Sequence, residues 1–180
     1  MDLNNFKANY RSGGYRTSQF RVTLTNPIDA SADTKLSFLC KASALPASNL
    51  NMLEAFHFGR SIKLAGKRSF EDWTIQVYED EDFVIRNSLE TWMNTINSPE
   101  TNTRSTGSSD ISLYKSTAIV EALSQTGAVL RTYKFIGIFP TAIAAIDVNW
   151  DNESLAEFSV NFALDYFILE PGPTGDAGPI

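Results

Sequence analysis

The sequence of 180 residues holds a single cysteine, Cys40, and a single histidine, His57. One cysteine excludes an internal disulfide bond and is typical of a chain made in a reducing compartment such as a cytosol. One histidine and one cysteine cannot supply the ligands of a His/Cys zinc site within one chain. We therefore expect neither a metal nor a cofactor, and we interpret Cys40 as a small core residue.

Long apolar runs are missing as well. The sequence contains no stretch of about eighteen apolar residues, so no transmembrane helix is expected. The polar N-terminus has no apolar segment of the kind that a secretory signal needs. These absences predict a protein without a membrane partner.

The sequence motifs of common enzyme classes are absent too. The chain has no G-x-S-x-G, phosphate-binding loop, G-x-G-x-x-G or H-E-x-x-H motif. His57 would have to be the base of any nucleophilic triad, but no neighbouring residue supports that role. The acidic cluster from Glu79 to Asp82 is explained better as the start of a helix than as catalytic carboxylates. The residues therefore predict a protein that is not an enzyme.

The net charge of −6 argues against stable nucleic-acid binding, which normally needs a basic excess. The charge is unevenly spread along the chain. Residues 1–70 hold ten Lys and Arg against four Asp and Glu, a charge of +6. Residues 71–180 hold five against seventeen, a charge of −12. Two interpretations stay open: ordinary solvated faces, or a basic surface on one copy that meets an acidic surface on the next.

Alternation of apolar and polar residues is the dominant pattern, and it predicts half-buried strands. In residues 155–169 the side chains of one predicted strand face are Phe158, Val160, Phe162, Leu164, Tyr166 and Ile168. One long antiparallel strand with a wet side is expected there. Shorter strands are predicted at residues 20–25, 36–42, 61–65, 73–78, 111–123, 129–139 and 145–150, with Pro140 ending the sixth.

The segment 82–97 follows a helical period instead. Its apolar residues Ile85, Leu89, Trp92, Met93 and Ile96 form one stripe of an amphipathic helix. The acidic cluster before it suits a helix N-terminus, and Ser98-Pro99 closes the segment. The predicted fold class is mainly β, a β-sandwich or barrel with one flanking α-helix. Trp73 and Trp92 are expected to be core anchors between sheet and helix.

Three regions are predicted from these patterns. Residues 1–18 are expected to form a flexible N-terminal arm, residues 19–170 the β-domain, and residues 171–180 a flexible tail rich in Gly and Pro. The tail has collagen-like triplets, but three are far too few for a stable triple helix.

Residues 39–97 also carry a resemblance to a known family. Its matching motifs, in order along the chain, are Leu39-Cys40-Lys41, Leu45-Pro46, Phe58-Gly59-Arg60, Ala65-Gly66, Phe70-Glu71-Asp72-Trp73, Asp80-Glu81-Asp82-Phe83, and then Arg86, Glu90, Trp92, Met93 and Asn94. This ordered set closely resembles the tail tube protein family of contractile-tailed bacteriophages. The resemblance extends over about residues 15–169.

The resemblance implies an assembly. Six subunits would close into a ring, and stacked rings would form a tube whose lumen conducts double-stranded DNA during ejection. The implied partners are further copies of the chain, the tail sheath protein, and the baseplate and tail-terminator proteins. The implied location is the tail of the virion, after assembly in the host cytoplasm. An acidic wall would repel phosphates, so DNA would pass without stable binding.

The segment 43–60 is expected to reach a neighbouring subunit, because it is long and apolar; a loop packed within its own subunit is the alternative. The candidate inter-subunit contacts are Leu45, Pro46, Phe56, Phe58, Arg60, Glu71, Asp72 and Arg86.

Other functions remain as alternatives. Within the same class, the chain could be the inner tube subunit of a tailocin or another contractile injection system, a haemolysin-coregulated secretion tube, or a baseplate tube initiator. From other classes, a peptidoglycan hydrolase and a monomeric carbohydrate- or receptor-binding β-domain are kept.

Overall fold

The computed structural model describes residues 2–10, 14–105, 109–151 and 153–175. The helices in these ranges are α1 (Leu3–Asn9), α2 (Asp33–Leu39), α3 (Val84–Ile96) and α4 (Ile111–Tyr114), with a 3-10 turn at Ala30–Ala32. The strands are β1 (Phe20–Leu24), β2 (Cys40–Ser43), β3 (Asn49–His57), β4 (Arg60–Ser69), β5 (Trp73–Tyr78), β6 (Ser116–Leu123), β7 (Val129–Ile143), β8 (Glu157–Ala163) and β9 (Tyr166–Glu170). Within the described ranges, no helix combines the length and the apolar character of a membrane span.

Seven strands form one antiparallel sheet that bends along β7 into two layers. The first layer has the order β1-β6-β7-β9, and the second has the order β7-β8-β5-β2. Strand β7 belongs to both layers, because residues 129–138 pair with β6 and residues 139–143 pair with β8. Strands β3 and β4 pair only with each other in this arrangement. The predicted class, mainly β with a flanking helix, is confirmed.

The bend in β7 lies at Gly137, whose φ of +71° favours glycine. A Cβ atom at this position would overlap the carboxylate of Asp165, so the two chain segments approach too closely for another residue. The amide of Asp165 donates a hydrogen bond of 3.0 Å to the carbonyl of Ile136. This junction separates β8 from β9.

The prediction of one uninterrupted strand over residues 155–169 is therefore wrong. Phe158, Val160 and Phe162 are buried, as expected from the alternation. Beyond the junction the phase changes, so that Tyr166 is exposed and Leu169 is buried. The physical reason is the crossing from one layer to the other at Asp165, which inserts an irregular step into the alternation.

The core lies between the two layers and beneath α3. Trp73 of the second layer stacks on Phe135 of the first, with ring centroids 4.8 Å apart and an interplanar angle of 19°. The other large, fully buried side chains of the core are Trp92, Phe162, Leu24, Leu36, Ile75, Ile85, Leu89 and Ile138. The aromatic contact joins the layers, because each ring comes from a different one.

Helix α3 places its apolar stripe on this core. Ile85, Leu89 and Trp92 are buried, and the indole Nε1 of Trp92 donates a hydrogen bond of 2.8 Å to the carbonyl of Tyr114. The helix begins after Phe83, which has a φ of +50°. The acidic cluster supplies one acceptor to the helix start, since Asp82 Oδ1 accepts from the amide of Val84 at 3.2 Å.

A buried polar contact that sequence pattern does not reveal fixes the helix to the turn that follows β1. The side-chain amide of Asn26 donates hydrogen bonds to the carbonyl and hydroxyl of Ser88, at 3.1 and 2.9 Å. The Ser88 hydroxyl in turn donates to the carbonyl of Asp29 at 2.7 Å. Asn26 precedes a proline and reads only as a turn residue in the sequence.

Several predicted strand boundaries are wrong. The segment 36–42 contains the end of α2 and then β2, because the helix buries Leu36 before the chain extends. Residues 111–114 are helical, and residues 145–150 form no strand. Strand β7 continues through Pro140, which the analysis took as its end. At Pro140 only β8 pairs with the strand, so the missing amide does not interrupt a ladder on both edges.

Gly137→Ala should destabilise the fold by roughly 2–4 kcal/mol, because it combines left-handed strain with the overlap at Asp165. Gly127→Ala is the matched control: its φ is +81°, but no atom lies within 4 Å of the new Cβ. That variant should lose only about 1 kcal/mol. Urea unfolding would measure both, and adding Asp165→Ala should recover part of the Gly137→Ala loss. Equal losses at the two glycines would contradict the bend described for β7.

Trp92→Ala should lower the free energy of unfolding by roughly 3–5 kcal/mol, because it opens a cavity under α3 and leaves the Tyr114 carbonyl without its donor. Trp150→Ala is the control, since Trp150 is fully exposed and its loss should change stability by less than about 0.5 kcal/mol. Both values can be measured by denaturant titration of dilute protein. A Trp92→Ala variant as stable as the control would refute the placement of α3.

Candidate assembly surface

The hairpin of β3 and β4 extends away from the two-layered body. All of residues 50–65 are exposed. The strands join through the two-residue turn Phe58-Gly59, whose φ values of +47° and +75° are those of a type I′ turn. Nine residues of β3 give the hairpin a reach of about 30 Å at 3.3 Å per residue.

Both faces of the hairpin carry apolar side chains. The strand register places Leu53 opposite Leu64, and Ala55 opposite Ile62, on one face. The other face carries the following exposed side chains on β3: Leu50, Met52, Glu54 and Phe56. A two-stranded hairpin is only marginally stable in water by itself, and apolar surface on both sides marks an interaction site. The hairpin therefore exposes apolar side chains on both faces that the described part of the chain does not cover.

Phe58 is the most unusual residue of the hairpin. Its side chain is 94% exposed, and Phe56 beside it is 74% exposed. A bulky side chain at a positive φ is strained, and Asn or Gly is the usual choice at this turn position. His57 contacts the Phe58 ring edge to face, with centroids 4.5 Å apart. The strained, exposed ring at the tip is explained if it binds another molecule.

Four other predicted contact residues gather at the base of the hairpin. Leu45, Pro46, Glu71 and Asp72 line a small cavity of about 170 Å³ that is floored by Trp73. The Glu71 carboxylate accepts a hydrogen bond of 2.6 Å from the side-chain amide of Asn49. Arg60 lies instead near the tip, opposite His57.

Arg86 lies on α3, apart from the others. Its Nε donates to Glu90 Oε1 at 2.8 Å, and its Nη1 donates to the carbonyl of Ala144 at 3.3 Å. Its guanidinium also stands 5.5 Å from the ring centroid of Phe158. These contacts are within one subunit, and a role for Arg86 between subunits stays a prediction.

The hairpin is basic. Strand β4 carries the exposed cations Arg60, Lys63, Lys67 and Arg68, and the hairpin has one acidic residue, Glu54. Within the described part of the chain none of these four cations has an ion-pair partner. Four unpaired cations give the projecting element a positive field.

A second exposed apolar surface lies in the segment that follows β7. Val148, Trp150 and Leu155 are exposed there, beside an open cavity of about 710 Å³ between this segment and Tyr78. We call residues 145–151 and 153–156 the acidic loop, because they carry Asp147, Asp151 and Glu153. Sequence pattern did not reveal this surface, because the alternation of residues 145–150 is typical of a strand; the three acidic residues between positions 147 and 153 were the usable signal.

The acidic loop is held against the body at its margins. The amide of Glu79 donates a hydrogen bond of 2.9 Å to the carbonyl of Ala156. Lys41 forms an ion pair with Glu157, and its ammonium lies 5.3 Å from the ring centroid of Tyr78. Lys35 forms ion pairs with Asp80 and Asp82, and its hydrogen bonds lower the pKa of both carboxyl groups.

Groups suited to catalysis are poorly placed. Burial raises the pKa of the Cys40 thiol to about 11, so very little reactive thiolate exists at neutral pH. His57 lies exposed near the tip of the hairpin. Among the described residues, no three His, Cys, Asp or Glu side chains are grouped closely enough to hold a metal ion.

Comparison with known proteins gives a consistent family. A model of the phage tail tube protein family matches residues 14–170. The tail tube protein gp19 of Enterobacteria phage T4 is 32% identical to the chain over 133 residues, which cover 73% of this chain and 80% of gp19. Tail tube protein gp19 of Enterobacteria phage T6 is 31% identical over 132 residues, with the same shares covered.

Solved structures share the fold at lower identity. The tube-terminating cap of the anti-feeding prophage superposes with a TM-score of 0.65 at 17% identity, covering 87% of this chain and 91% of the cap. The sheath–tube complex of the extracellular contractile injection system PVC gives a TM-score of 0.60 at 13% identity, over 94% and 98%. Identities this low support a common fold and leave the function to other observations.

Phe58→Asn should separate folding from association. Asparagine tolerates a positive φ, so the melting temperature of dilute protein should stay equal or rise, while self-association weakens because the exposed ring is gone. Phe58→Tyr is the control, since it keeps both the ring and the strain and should associate like the wild type. Thermal melting and sedimentation velocity would measure the two properties. Unchanged association of Phe58→Asn would rule out Phe58 as a contact residue.

Proposed function

The chain belongs to the phage tail tube protein family, and we propose that it forms hexameric rings that stack into a tube whose lumen conducts double-stranded DNA. As a member of that family it is a structural component of the virion tail. The proposal adds the ring number, the stacking and the passage of DNA. We also propose that the chain has no catalytic activity.

The hairpin is the single observation that carries this proposal. It presents apolar side chains on both faces and a strained phenylalanine at its tip. Exposed apolar surface of this extent is typical of an interface, and a hairpin placed between neighbouring copies would bury both of its faces. A tube, in which every subunit has neighbours beside and beyond it, provides those copies.

The open edges of the layers support lateral closure into a ring. Strand β1 ends the first layer, and β2 ends the second. Such edges present unpaired amides and carbonyls, and pairing with another chain is the usual way to satisfy them. A rotation that closes after six copies would pair these two edges throughout the ring.

The charge of the chain supports passage of DNA without retention. The net charge is −6, and the exposed cations of β4 sit on the element that we assign to contacts between subunits. Once these are covered, the remaining surface carries an acidic excess, which repels phosphates. The same partners proposed from the sequence follow from a tail tube: the sheath protein around it and the baseplate and terminator proteins at its ends.

A related function is the inner tube or a capping ring of another contractile system. The shared fold with a tube-terminating cap and with a sheath–tube complex is compatible with both. The gp19 relatives at 31–32% identity favour the phage tail tube itself.

Purified full-length protein should form rings or hollow tubes in negative-stain images, and native mass measurement should give six subunits per ring. A variant with Phe56→Ser and Phe58→Ser should keep the melting temperature of the body but no longer form tubes. Tubes mixed with linear duplex DNA at low salt should not retain it on a filter. A monomer that persists at high concentration would contradict the proposal, as would rings of another number or tubes that bind DNA.

A further inference from the structure

The basic hairpin and the acidic loop lie at opposite ends of the second layer. Strand β5 begins at Trp73, which pairs with Phe162, and ends at Tyr78, which pairs with Glu157. The hairpin leads directly into the Trp73 end through residues 70–72. The acidic loop leads into Glu157 and borders Tyr78. About 17 Å of strand separates the two ends, so the subunit has a basic pole and an acidic pole.

The two poles are complementary in charge. The hairpin carries four cations without an ion-pair partner among the described residues. The acidic loop carries Asp147, Asp151 and Glu153, which likewise have no ion-pair partner within the described ranges. Unpaired charges of opposite sign favour an oriented encounter between copies, because they attract unlike poles and repel like ones.

Both poles also expose apolar side chains beside their charges. The hairpin ends in two exposed aromatic rings, Phe56 and Phe58. The acidic loop borders an open cavity of about 710 Å³ and adds the exposed apolar side chains of Val148 and Leu155 at its rim. Asp147 lines this cavity together with Tyr78 and the ion pair of Lys41 with Glu157, so an apolar knob with a basic stem would meet apolar side chains and one carboxylate that is unpaired within the described residues.

We infer that the hairpin tip of one copy docks into the cavity beside the acidic loop of a second copy, with Arg60 and Lys63 facing Asp147 and Asp151. This inference rests on the proposed tube and names the surface that receives each hairpin. A contact between opposite poles is heterologous, and we place it along the tube axis, where it repeats from ring to ring and generates a stack.

Charge reversal tests this assignment. The hairpin reversal combines Arg60→Glu with Lys63→Glu, and the loop reversal combines Asp147→Lys with Asp151→Lys. All four residues are exposed, so both proteins should fold normally. Each variant alone should need at least about a tenfold higher concentration to stack, because like charges meet at every pole contact. Electron microscopy and pelleting would measure the stacking.

Recombining the variants gives the decisive result. A mixture of the two reversals should stack again, since each hairpin then finds a loop of opposite sign. One chain that carries all four substitutions should stack with itself but not with the wild type. Arg16→Glu with Arg104→Glu is the control: it changes the net charge as the hairpin reversal does, at two exposed sites outside both poles, and should stack normally. Single reversals that stack like the wild type, or a mixture that does not, would overturn the inference.

A cross-link provides a second measurement that does not depend on charge. In a Cys40→Ser background, chains with His57→Cys are mixed with chains with Asn149→Cys and oxidised; both positions are exposed, and these changes keep the two rings of the tip and the apolar rim of the cavity. A disulfide-linked dimer is expected, because a docked tip brings the two positions within bonding reach. His57→Cys mixed with Thr23→Cys, an exposed position of β1, should give none. Tubes that form without the first cross-link would overturn the docking site alone, whereas a wild type that never assembles would contradict the proposed function.

Discussion

The whole arrangement depends on one constraint: a hairpin with apolar side chains on both faces must be covered, and the described part of its own chain does not cover it. A sheet edge or a helix stripe can be buried by folding back onto a core. A two-stranded ribbon that projects about 30 Å from the body cannot be buried in this way. Its stability is therefore linked to the concentration of partners, as for other proteins whose interfaces are exposed in the monomer. In the proposed assembly, a single chain folds the body by itself, and the hairpin is covered only when a neighbouring copy binds.

The two-layered body holds the root of that hairpin in a fixed position. The indole Nε1 of Trp73 donates a hydrogen bond of 3.1 Å to the hydroxyl of Ser43, which ties the chain entering the hairpin to the core. The same indole stacks on Phe135 of the other layer, so the hairpin root is connected to both layers. At the other pole, the acidic loop is tied to the end of β5 through Glu79. The body between the two poles is closely packed, so the poles keep a fixed position relative to each other. A stack that grows in one direction requires this.

The sequence pattern predicted an element correctly where the spacing of its apolar residues results from the burial of one face. Helix α3 was readable because Ile85, Leu89 and Trp92 repeat at helical spacing, and β8 because Phe158 and Phe162 alternate with polar residues. The hairpin was only partly readable, because its two apolar faces give no alternation and Phe58 is an unexpected turn residue. The phase change at Asp165 depends on its packing against Gly137, a contact between segments far apart in sequence. The cavity beside the acidic loop likewise arises from segments that meet only in the folded chain. The contact residues proposed from family resemblance lie mainly on the hairpin and at its base. No sequence motif indicates the surface that we propose to receive the hairpin.

The uneven charge of the two halves acquires a structural meaning in this arrangement. The basic hairpin comes from the first half and the acidic loop from the second, as the proposed docking of complementary surfaces requires. Charge and apolar contact would then contribute differently to the docking of the hairpin. Exposed ion pairs contribute only about 0–1 kcal/mol each, so they determine the direction of approach more than the strength of the contact. Burying one phenylalanine stabilises by roughly 1.5–3 kcal/mol, which is weak for a single docked hairpin. The proposed ring would present every hairpin at once, so docking of the first would make the rest intramolecular and raise their effective concentration. Weak individual contacts of this kind would let misaligned subunits dissociate before a ring is complete, while a completed stack would hold firmly.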